Sequence, residues 1–528
     1  RSALVSIYRA IEANEPVPKS EHGGVQALTS DRTRGSYLFA NLAADKTDDW
    51  IALAKRGGFS FIHLHGWWKT LGHYDINKSY FPNGIDDMKK VVKKIHDAGL
   101  LASFHTLTAC IDPRDPWVTP VPSDDLISSA TYTLAKPFSE TDTELYVNEK
   151  PVPGHEIVWS YSANGNAIKI GKEIIQYAEI SREPPYAFKK CTRGAFGTKV
   201  SAHAQGDKAD YLQQRYIAFY PDPDSQLAED LADGIANVYN TVGLDGIYFD
   251  GSEGMRSRYG IDTMRWKIYQ KLKRPAVTEA SSWGHNNWWF HSRLGAWDHP
   301  CYASRRNHDA HVALAKNFRM ADLVQPQMGW WAPIAHTPQY DGQFPDEMEY
   351  FAAKNFGIDG PMSIVGVNTS RTPSNARVPE MMTILGWYER FRMARYFTPE
   401  DSEKLAAPKS DFRLRMDNEG HWRLIPVAMY NHVVSAPKAV SESWNVQNDL
   451  YTRPAWFRIQ ALYSTPPLTE KNPKPLADFS EIEKLTAKST ADGVTQQLLV
   501  EENDVKLAKK NLRLVVKNSR DTSRGAWS

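Results

Sequence analysis

The hydrophobic and polar positions of this chain follow two different periods in turn. Short apolar runs at residues 36–42, 59–65 and 101–105 have the length and aromatic content of buried strands. Between such runs, apolar residues recur at helical spacing, as in residues 86–98, which Gly99 follows as a helix-ending residue. Strands that alternate with helices predict a parallel sheet covered by helices.

Eight strand-then-helix units can be counted, which predicts an α/β fold of the (β/α)8 TIM-barrel type. The fourth and fifth strands are predicted to end at Asp250 and Glu279. The remaining strands are predicted over residues 295–299, 321–327 and 360–366, and a helix over residues 380–395 would complete the ring.

Two regions do not fit the barrel pattern. Residues 111–224 are rich in Pro, Thr, Ser and Gly and contain short alternating runs, which predicts a small all-β domain inserted after the third strand. Residues 411–528 also alternate, which predicts a C-terminal β-sandwich, with a longer natural protein as an open alternative. The predicted barrel domain therefore comprises residues 1–110 and 225–400.

Composition and charge narrow the class of partner. Hydrophobic residues make up 41% of the chain and charged residues 24%, which is typical of a globular protein. The net charge of +1 favours neither nucleic acid nor an anionic membrane, and no apolar run reaches the roughly 18 residues of a membrane span. The 17 Trp and 24 Tyr residues indicate a carbohydrate partner, because sugar faces stack on aromatic rings, although barrel packing would also use them.

Cysteines and acidic loops give little sign of a cofactor. Cys110, Cys191 and Cys301 match neither a metal-ligand spacing nor a disulfide framework, and we predict no cofactor. Structural calcium is an alternative in the acidic loops at Asp142, Glu144, Asp222 and Asp224. The chain begins at Arg1 without a signal peptide, so a secreted or periplasmic location is expected from the proposed chemistry alone. The sequence leaves the oligomeric state open.

Two carboxylates are predicted at the carboxyl ends of neighbouring strands. Asp250 follows Tyr248 and Phe249 and precedes glycine, and Glu279 lies one helix and one strand further on. Catalytic groups of such barrels lie at this end, and two carboxylates are what glycosidic hydrolysis needs. We predict Asp250 as the nucleophile and Glu279 as the acid/base, with Glu253 as a rival and a structural ion pair as the alternative for either acid.

Other polar and aromatic residues near the predicted strand ends would complete a sugar site, with imidazole and amide donors around a Trp floor. For each Trp or His, core packing is the alternative, and the three histidines could also be metal ligands. The predicted substrate-binding residues are His63, His65, Trp67, His105, Tyr248, Trp283, His285, Asn286, Trp288, Asp298, His299, Gln325, Gln327 and Trp330.

Several of these segments resemble TIM-barrel retaining α-glycosidases. Residues 243–251, Gly-Leu-Asp-Gly-Ile-Tyr-Phe-Asp-Gly, look like the fourth-strand motif of those enzymes, and α-L-fucosidases share its Phe-Asp-Gly. Residues 67–74, 81–89 and 96–100 are similar to the second-strand signature of α-galactosidase-like enzymes, whose acid/base would be Asp298. The endo-α-N-acetylgalactosaminidase, α-N-acetylgalactosaminidase-like and α-amylase families instead place Asp on strand four and Glu on strand five. The resemblance implies a retaining α-glycosidase and leaves the family and sugar open.

A shorter resemblance lies in the inserted region. Arg193-Gly-Ala-Phe-Gly-Thr with His203 and Gly206 resembles a turn motif of small β-barrel modules in phage-tail and carbohydrate-active proteins. Turn chemistry alone also explains this pattern.

The predicted function is hydrolysis of an α-glycosidic linkage in a complex glycan or polysaccharide. A polysaccharide lyase acting on uronic acids is the first alternative, with a His as base and an Arg, such as Arg305 or Arg306, against the carboxylate. A non-catalytic carbohydrate-binding barrel is the second. The paired acids favour the hydrolase.

Overall fold

A computed structural model gives the fold of this chain. The ranges described are 2–17, 19–152, 155–158, 161–255, 257–281, 287–294, 305–321, 323–335, 342–369, 375–417, 419–427, 444–447, 494–501, 511–518 and 524–527.

A parallel sheet with eight strand positions forms the centre of the fold, in the chain order expected of a barrel. Every neighbouring pair in this sheet runs parallel. The strands are Tyr37–Ala40, Phe61–Leu64, Leu101–Leu107, Gly246–Asp250, Val277–Ala280, Arg293–Leu294, Gln325–Pro326 with Trp330–Trp331, and Ser363–Ile364.

The seventh position closes the ring, because its two halves bond different neighbours. Gln325 pairs with the sixth strand, and the N–H of Gln327 donates to the carbonyl of Leu294 at 3.2 Å. Further along, Trp330 and Trp331 pair with the eighth strand, which itself pairs with the first. Gly329, at a φ of +86°, lies between the halves. The predicted (β/α)8 barrel is therefore present, and its side chains fill the interior.

Helices cover the outside of this sheet and end as the sequence dictates. Ser225 and Ser257 cap two of them by accepting backbone N–H groups, and Gly243 ends one in the left-handed region. The α-helices are Ser2–Asn14, Thr47–Arg56, Ile85–Asp97, Gln226–Val242, Arg258–Gln270, Arg305–Ala321, Pro345–Gly357, Val378–Met393 and Pro399–Ala406. The short 3-10 helices are Gly24–Gln26, Asp31–Arg34, Ala44–Lys46, Ala195–Gly197 and Ser252–Met255. Within the ranges described, no helix is long and apolar enough to cross a membrane.

The sixth strand is described at Arg293–Leu294, just before the predicted range 295–299, and there Arg293 pairs with Glu279 and Leu294 with Ala280. Arg293 is a buried charged residue inside the barrel, so apolar patterning does not mark its strand. Residues 295–299 lie outside the described residues.

Antiparallel strands fill the chain between the third and fourth barrel strands. Within residues 128–219, several of the short alternating runs form strands, and their apolar residues share one buried cluster. The strands are Ser128–Thr133, Glu144–Tyr146, His155–Val158, Tyr161–Asn164, Ala167–Ile170, Glu173–Gln176, Glu179–Ile180, Ala187–Lys189, Lys208–Leu212, Gln214–Arg215 and Ala218–Phe219. Whether this region is an independent domain stays a prediction.

Glu173 explains the turn motif of this region. Its buried carboxylate accepts two hydrogen bonds from Arg193, one from His203 at 2.8 Å, and the backbone N–H groups of Gly194 and Ser201. These bonds outweigh the effect of burial and lower the pKa of Glu173 to about 2. The motif therefore has a structural role as the shell of one buried carboxylate.

The C-terminal region contains antiparallel strand pairs. Phe412–Met416 pairs with Trp422–Pro426, Trp444–Gln447 with Arg524–Trp527, and Val494–Glu501 with Asn511–Asn518. The chain divides into two compact units, one of residues 1–334, 343–373 and 377–423 and the other of 335–342, 374–376 and 424–528. The predicted β-sandwich and the three-domain division stay predictions.

Candidate active site

Asp250 ends the fourth strand at the carboxyl end of the barrel. Residues 246–249 before it are buried, whereas 21% of its own side chain is exposed. Its Oδ1 accepts the backbone N–H of Gly251 at 2.9 Å. Gly251 adopts a φ of +75°, and a Cβ there would lie 2.9 Å from the sulfur of Cys110. The strand end thus presents a carboxylate beside a turn that requires glycine.

A buried chain of polar side chains supports Asp250 from the third and second strands. Nε2 of His105 lies 3.3 Å from Oδ2 of Asp250, and its Nδ1 lies 3.4 Å from Nε2 of His63. Nδ1 of His63 in turn lies 2.9 Å from the hydroxyl of Ser103. Burial, followed by the charge of His105, holds the pKa of His63 well below its usual range. These histidines therefore orient the carboxylate from beneath it.

A second carboxylate, Glu253, lies in the turn that follows Asp250. Ser281, just after the fifth strand, donates its hydroxyl to Oε2 of Glu253 at 2.9 Å and also interacts with Asp250. The charge of Asp250 in turn raises the pKa of Glu253, which also indicates that the two carboxylates lie near each other. Asp250 and Glu253 are therefore neighbours across one small site.

The environment separates the pKa values of these two acids. Burial would raise the pKa of Asp250, but the hydrogen bond and charge of His105, together with the Gly251 N–H, lower it below its usual value. Burial and the charge of Asp250 raise the pKa of Glu253. One acid is thereby kept ionised beside another that retains its proton to higher pH.

Glu279, the predicted partner of Asp250, lies deeper inside the barrel. It is 2% exposed, and its oxygens accept hydrogen bonds from Tyr37 and Gln327 at 3.1 Å each. Nε of Arg293 lies 3.2 Å from Oε2. Burial raises the pKa of Glu279 to about 7 despite the charge of Arg293. The adjoining cavity is about 10 Å³, so there is room for about one water molecule and none for a sugar.

Half-buried aromatic groups surround Asp250 at the same end of the barrel. The ring of His65 lies 5.3 Å from Trp68 and 4.8 Å from Phe39, and Phe39 lies 5.3 Å from Trp330. Trp68 also stacks on His105 at 6.1 Å. We call Phe39, His65, Trp68 and Trp330 the aromatic rim; His65 and Trp330 were predicted in this site.

Several predicted substrate-binding residues are instead part of the core. Trp67 is fully buried and donates its indole N–H to the carbonyl of His105 at 2.8 Å. Tyr248 is 2% exposed and stacks on His105 at 5.0 Å, and Gln327 binds Glu279 inside the barrel. His63 and His105 are also buried, beneath Asp250. These side chains support the site from below.

Two further predicted residues lie elsewhere. Gln325 begins the seventh strand, because that strand starts later than predicted, and its amide donates to the carbonyl of Asp359 at the opposite end of the barrel. Its predicted place at the end of the strand is therefore wrong. Trp288 stacks on Tyr8 of the first helix with a ring separation of 4.1 Å. Trp283, His285, Asn286, Asp298 and His299 lie outside the described residues.

Sequence reasoning did not single out Ser281, or Phe39 and Trp68 of the aromatic rim, as residues of this site. Strand periodicity could have identified Ser281. It follows Glu279 by two residues and therefore lies on the same face of the strand, one layer higher.

The possible metal ligands of the described residues are dispersed. His65 bonds the side chain of Asn41 at 2.9 Å, while His63 and His105 bond each other. Of the acidic loop residues, Glu144 accepts the hydroxyl of Tyr146 at 2.6 Å. Among described residues, a group with the spacing of a metal site occurs at half-buried Asp417 with exposed Glu419 and His421. Structural calcium stays a prediction.

Comparisons with known proteins find distant structural likenesses. No protein-family model matches the sequence. A search of curated proteins finds no match either.

Solved structures similar to this chain include an α-amylase from Geobacillus thermoleovorans complexed with acarbose, at 11% identity and a TM-score of 0.43, covering 94% of this chain and 98% of that one. A GH36 α-galactosidase from Geobacillus stearothermophilus complexed with raffinose has 10% identity and a TM-score of 0.40, covering 82% and 50%. A Bacillus licheniformis trehalose-6-phosphate hydrolase has 10% identity and a TM-score of 0.40, covering 94% and 99%. With TM-scores of at most 0.43, the barrel assignment rests on strand pairing.

Proposed function

We propose that this protein is a retaining glycoside hydrolase that cleaves an α-glycosidic linkage in a complex glycan. The observation that carries this proposal is the Asp250–Glu253 pair, two neighbouring acids with oppositely shifted pKa values at the carboxyl end of a (β/α)8 barrel. The α configuration and retention rest on the resemblance of residues 243–251 to barrel α-glycosidases. The proposal includes a polymeric glycan as the substrate and a secreted or periplasmic location for the protein.

Asp250 is the proposed nucleophile. Its lowered pKa keeps the carboxylate ionised, and the His105 contact fixes its orientation. A carboxylate oxygen would attack the anomeric carbon, forming a glycosyl ester as the bond to the leaving oxygen breaks. Water then attacks the same carbon, and the ester bond breaks to return Asp250.

Glu253 takes the acid/base role in this proposal in place of Glu279. Because its pKa is raised, Glu253 keeps a proton that it can donate to the leaving oxygen. The resulting carboxylate can then take a proton from the attacking water. Glu279 has a suitable pKa of about 7, but it is 2% exposed and bonds Tyr37, Gln327 and Arg293. A side chain in that position supports the barrel and does not reach a glycan.

The aromatic rim supports a sugar ligand. Phe39, Trp68 and Trp330 offer half-buried rings beside Asp250, and His65 offers a ring nitrogen. Rings and a few polar groups around a reactive carboxylate suit a pyranose. The lyase alternative has less support, because Arg305 bonds Asp346 and Asp411.

The first test compares four proteins on a panel of p-nitrophenyl α- and β-glycosides and natural glycans. The wild type is expected to release an α-linked sugar, with Asp250→Asn inactive and Glu253→Gln slowed about 10²–10⁴-fold on natural glycans. Glu279→Gln, the matched buried carboxylate, should keep most of its turnover at a temperature where it is folded. Azide is expected to restore turnover of activated substrates to Glu253→Gln only, giving a glycosyl azide.

Each other result has a definite meaning. Azide rescue of Glu279→Gln with normal Glu253→Gln would return the acid/base role to Glu279. Sugar released with inverted configuration would overturn retention. Absorbance from an unsaturated product in wild type and Asp250→Asn alike would favour the lyase.

A further inference from the structure

A two-residue hairpin of the inserted region has an unusual tip. Gln214–Arg215 pairs with Ala218–Phe219 in antiparallel register, and Tyr216 and Ile217 form the loop between them. Both loop residues have positive φ, +52° and +65°. Such loops normally carry Asn-Gly or Asp-Gly, and a β-branched residue in this region is a genuine outlier. The backbone at this tip is therefore strained and must be held by its surroundings.

The hairpin is held against the turn that carries Glu253. The amide of Gln213 donates to the carbonyl of Gly254 at 2.6 Å, and Arg215 donates to the carbonyl of Glu253 at 3.4 Å. Close packing continues at the hairpin base, where a Cβ on Gly254 would lie 1.9 Å from the hydroxyl of Tyr220. Inserted region and nucleophile turn are thus fitted to each other.

The tip carries two different side chains directly after Arg215, which donates to the carbonyl of Glu253. Tyr216 is half-buried, and burial, then Glu253 and to a lesser degree Asp250, raises the pKa of its phenol to about 12. The phenol is therefore neutral and can donate a hydrogen bond. Glu253 affects its pKa more than Asp250 does. Ile217 next to it is 54% exposed although it is apolar.

We propose that Tyr216 and Ile217 form the leaving-group side of the site and bind the sugar residue that departs on cleavage. The inference rests on the proposed function, because it takes Glu253 as the group that protonates the leaving oxygen. The Tyr216 phenol donates a hydrogen bond to a hydroxyl of that sugar, and Ile217 covers its apolar face. The substrate class is accordingly an oligosaccharide or polysaccharide with a sugar on both sides of the scissile bond.

The test uses the full chain and two substrates that share one non-reducing sugar. One is the p-nitrophenyl α-glycoside that wild type cleaves fastest, and the other is an oligosaccharide with that sugar at its end. Tyr216→Phe should lower kcat/KM about fivefold on the oligosaccharide, as expected for one hydrogen bond, and leave the nitrophenyl substrate nearly unchanged. Ile217→Gly should raise KM for the oligosaccharide without lowering Tm, because glycine adopts this φ without strain.

Controls separate this inference from the function on which it rests. Tyr146→Phe removes another phenol of the inserted region, one that bonds Glu144, and should change neither substrate. Equal losses on both substrates, or none, in an active Tyr216→Phe protein would overturn the leaving-group role alone. Silence of the wild type on the whole panel would overturn the proposed function, and the inference with it.

Discussion

Asp250 and Glu253 differ in pKa although they belong to the same turn. His105 and the Gly251 N–H stabilise the ionised form of Asp250, whereas Glu253 faces burial and the charge of its neighbour. The difference is the one that a nucleophile and an acid require.

This difference predicts a bell-shaped dependence of kcat/KM on pH. Activity needs ionised Asp250 and protonated Glu253, so the acid limb should lie below the ordinary range of an aspartate and the alkaline limb above that of a glutamate. Initial rates on an activated glycoside, from acid to neutral pH, measure both limbs. An alkaline limb that persists unchanged in Glu253→Gln would contradict the assignment.

Glu279 makes the stability of the protein depend on pH in the opposite sense to a paired carboxylate. Its pKa is about 7 when folded, above the ordinary 4.5, so the folded protein keeps a proton that the unfolded chain has lost. Unfolding free energy should therefore fall as pH rises from about 4.5 to about 7, by up to roughly 3 kcal/mol.

Urea unfolding at pH 5 and pH 8 measures this dependence. Glu279→Gln should show a smaller difference between the two pH values, while Glu400→Gln at an exposed position should behave like wild type. Equal differences in all three proteins would show that Glu279 is not the source.

At the residue scale, the sequence could predict the face of each side chain but not its depth. Asp250, Glu279 and His105 lie on the same face of their strands, as a common site requires. Depth depends on how neighbouring strands are staggered, which local patterning does not contain. Glu279 was therefore assigned to the site although it lies one layer below Ser281.

At the scale of elements, the apolar strands were predictable and the charged one was not. The helix predicted over residues 86–98 is observed at Ile85–Asp97, because its apolar positions recur at helical spacing and Gly99 follows in the left-handed region. Apolar patterning does not mark the sixth strand at Arg293–Leu294, because Arg293 forms a buried ion pair there with Glu279 of the neighbouring strand. Buried ion pairs remove the hydrophobic signal on which strand prediction depends.

The strands of the inserted region depend on Glu173, which gives a second stability prediction. Its pKa of about 2 lies below the ordinary 4.5, so the stabilisation is full above about pH 4.5 and is lost as pH falls towards 2. Glu173→Gln should lower the unfolding free energy at pH 7 by about 2–4 kcal/mol, because Arg193 and His203 lose a charged partner.

Hydrogen exchange provides the local measurement. Backbone amides of residues 192–203 should exchange faster in Glu173→Gln, whereas those of the helix Ile85–Asp97 should not. A uniform change across both regions would contradict a local role for Glu173.

At the scale of the whole molecule, residues 125–222 have the features of a self-contained unit. An apolar cluster that includes Leu145, Ile168 and Phe188 lies within them. Their two ends are adjacent, because the N–H of Asp222 donates to the carbonyl of Asp125 at 2.8 Å.

We expect residues 125–222, produced alone, to fold and to unfold cooperatively on heating, with circular dichroism typical of β structure. The same segment with Glu173→Gln should melt at a lower temperature. A gradual loss of signal without a transition would show that the segment needs the barrel.

The hydrogen bond between Asp125 and Asp222 also concerns how such a protein can change over time. Two chain ends that meet at one point allow the intervening segment to be exchanged by recombination for another of any length, with the host strands keeping their register. Tyr216 and Ile217 lie inside this segment, whereas Asp250 lies outside it. Such an exchange would therefore replace the leaving-group side of the site in a single event and leave the nucleophile unchanged.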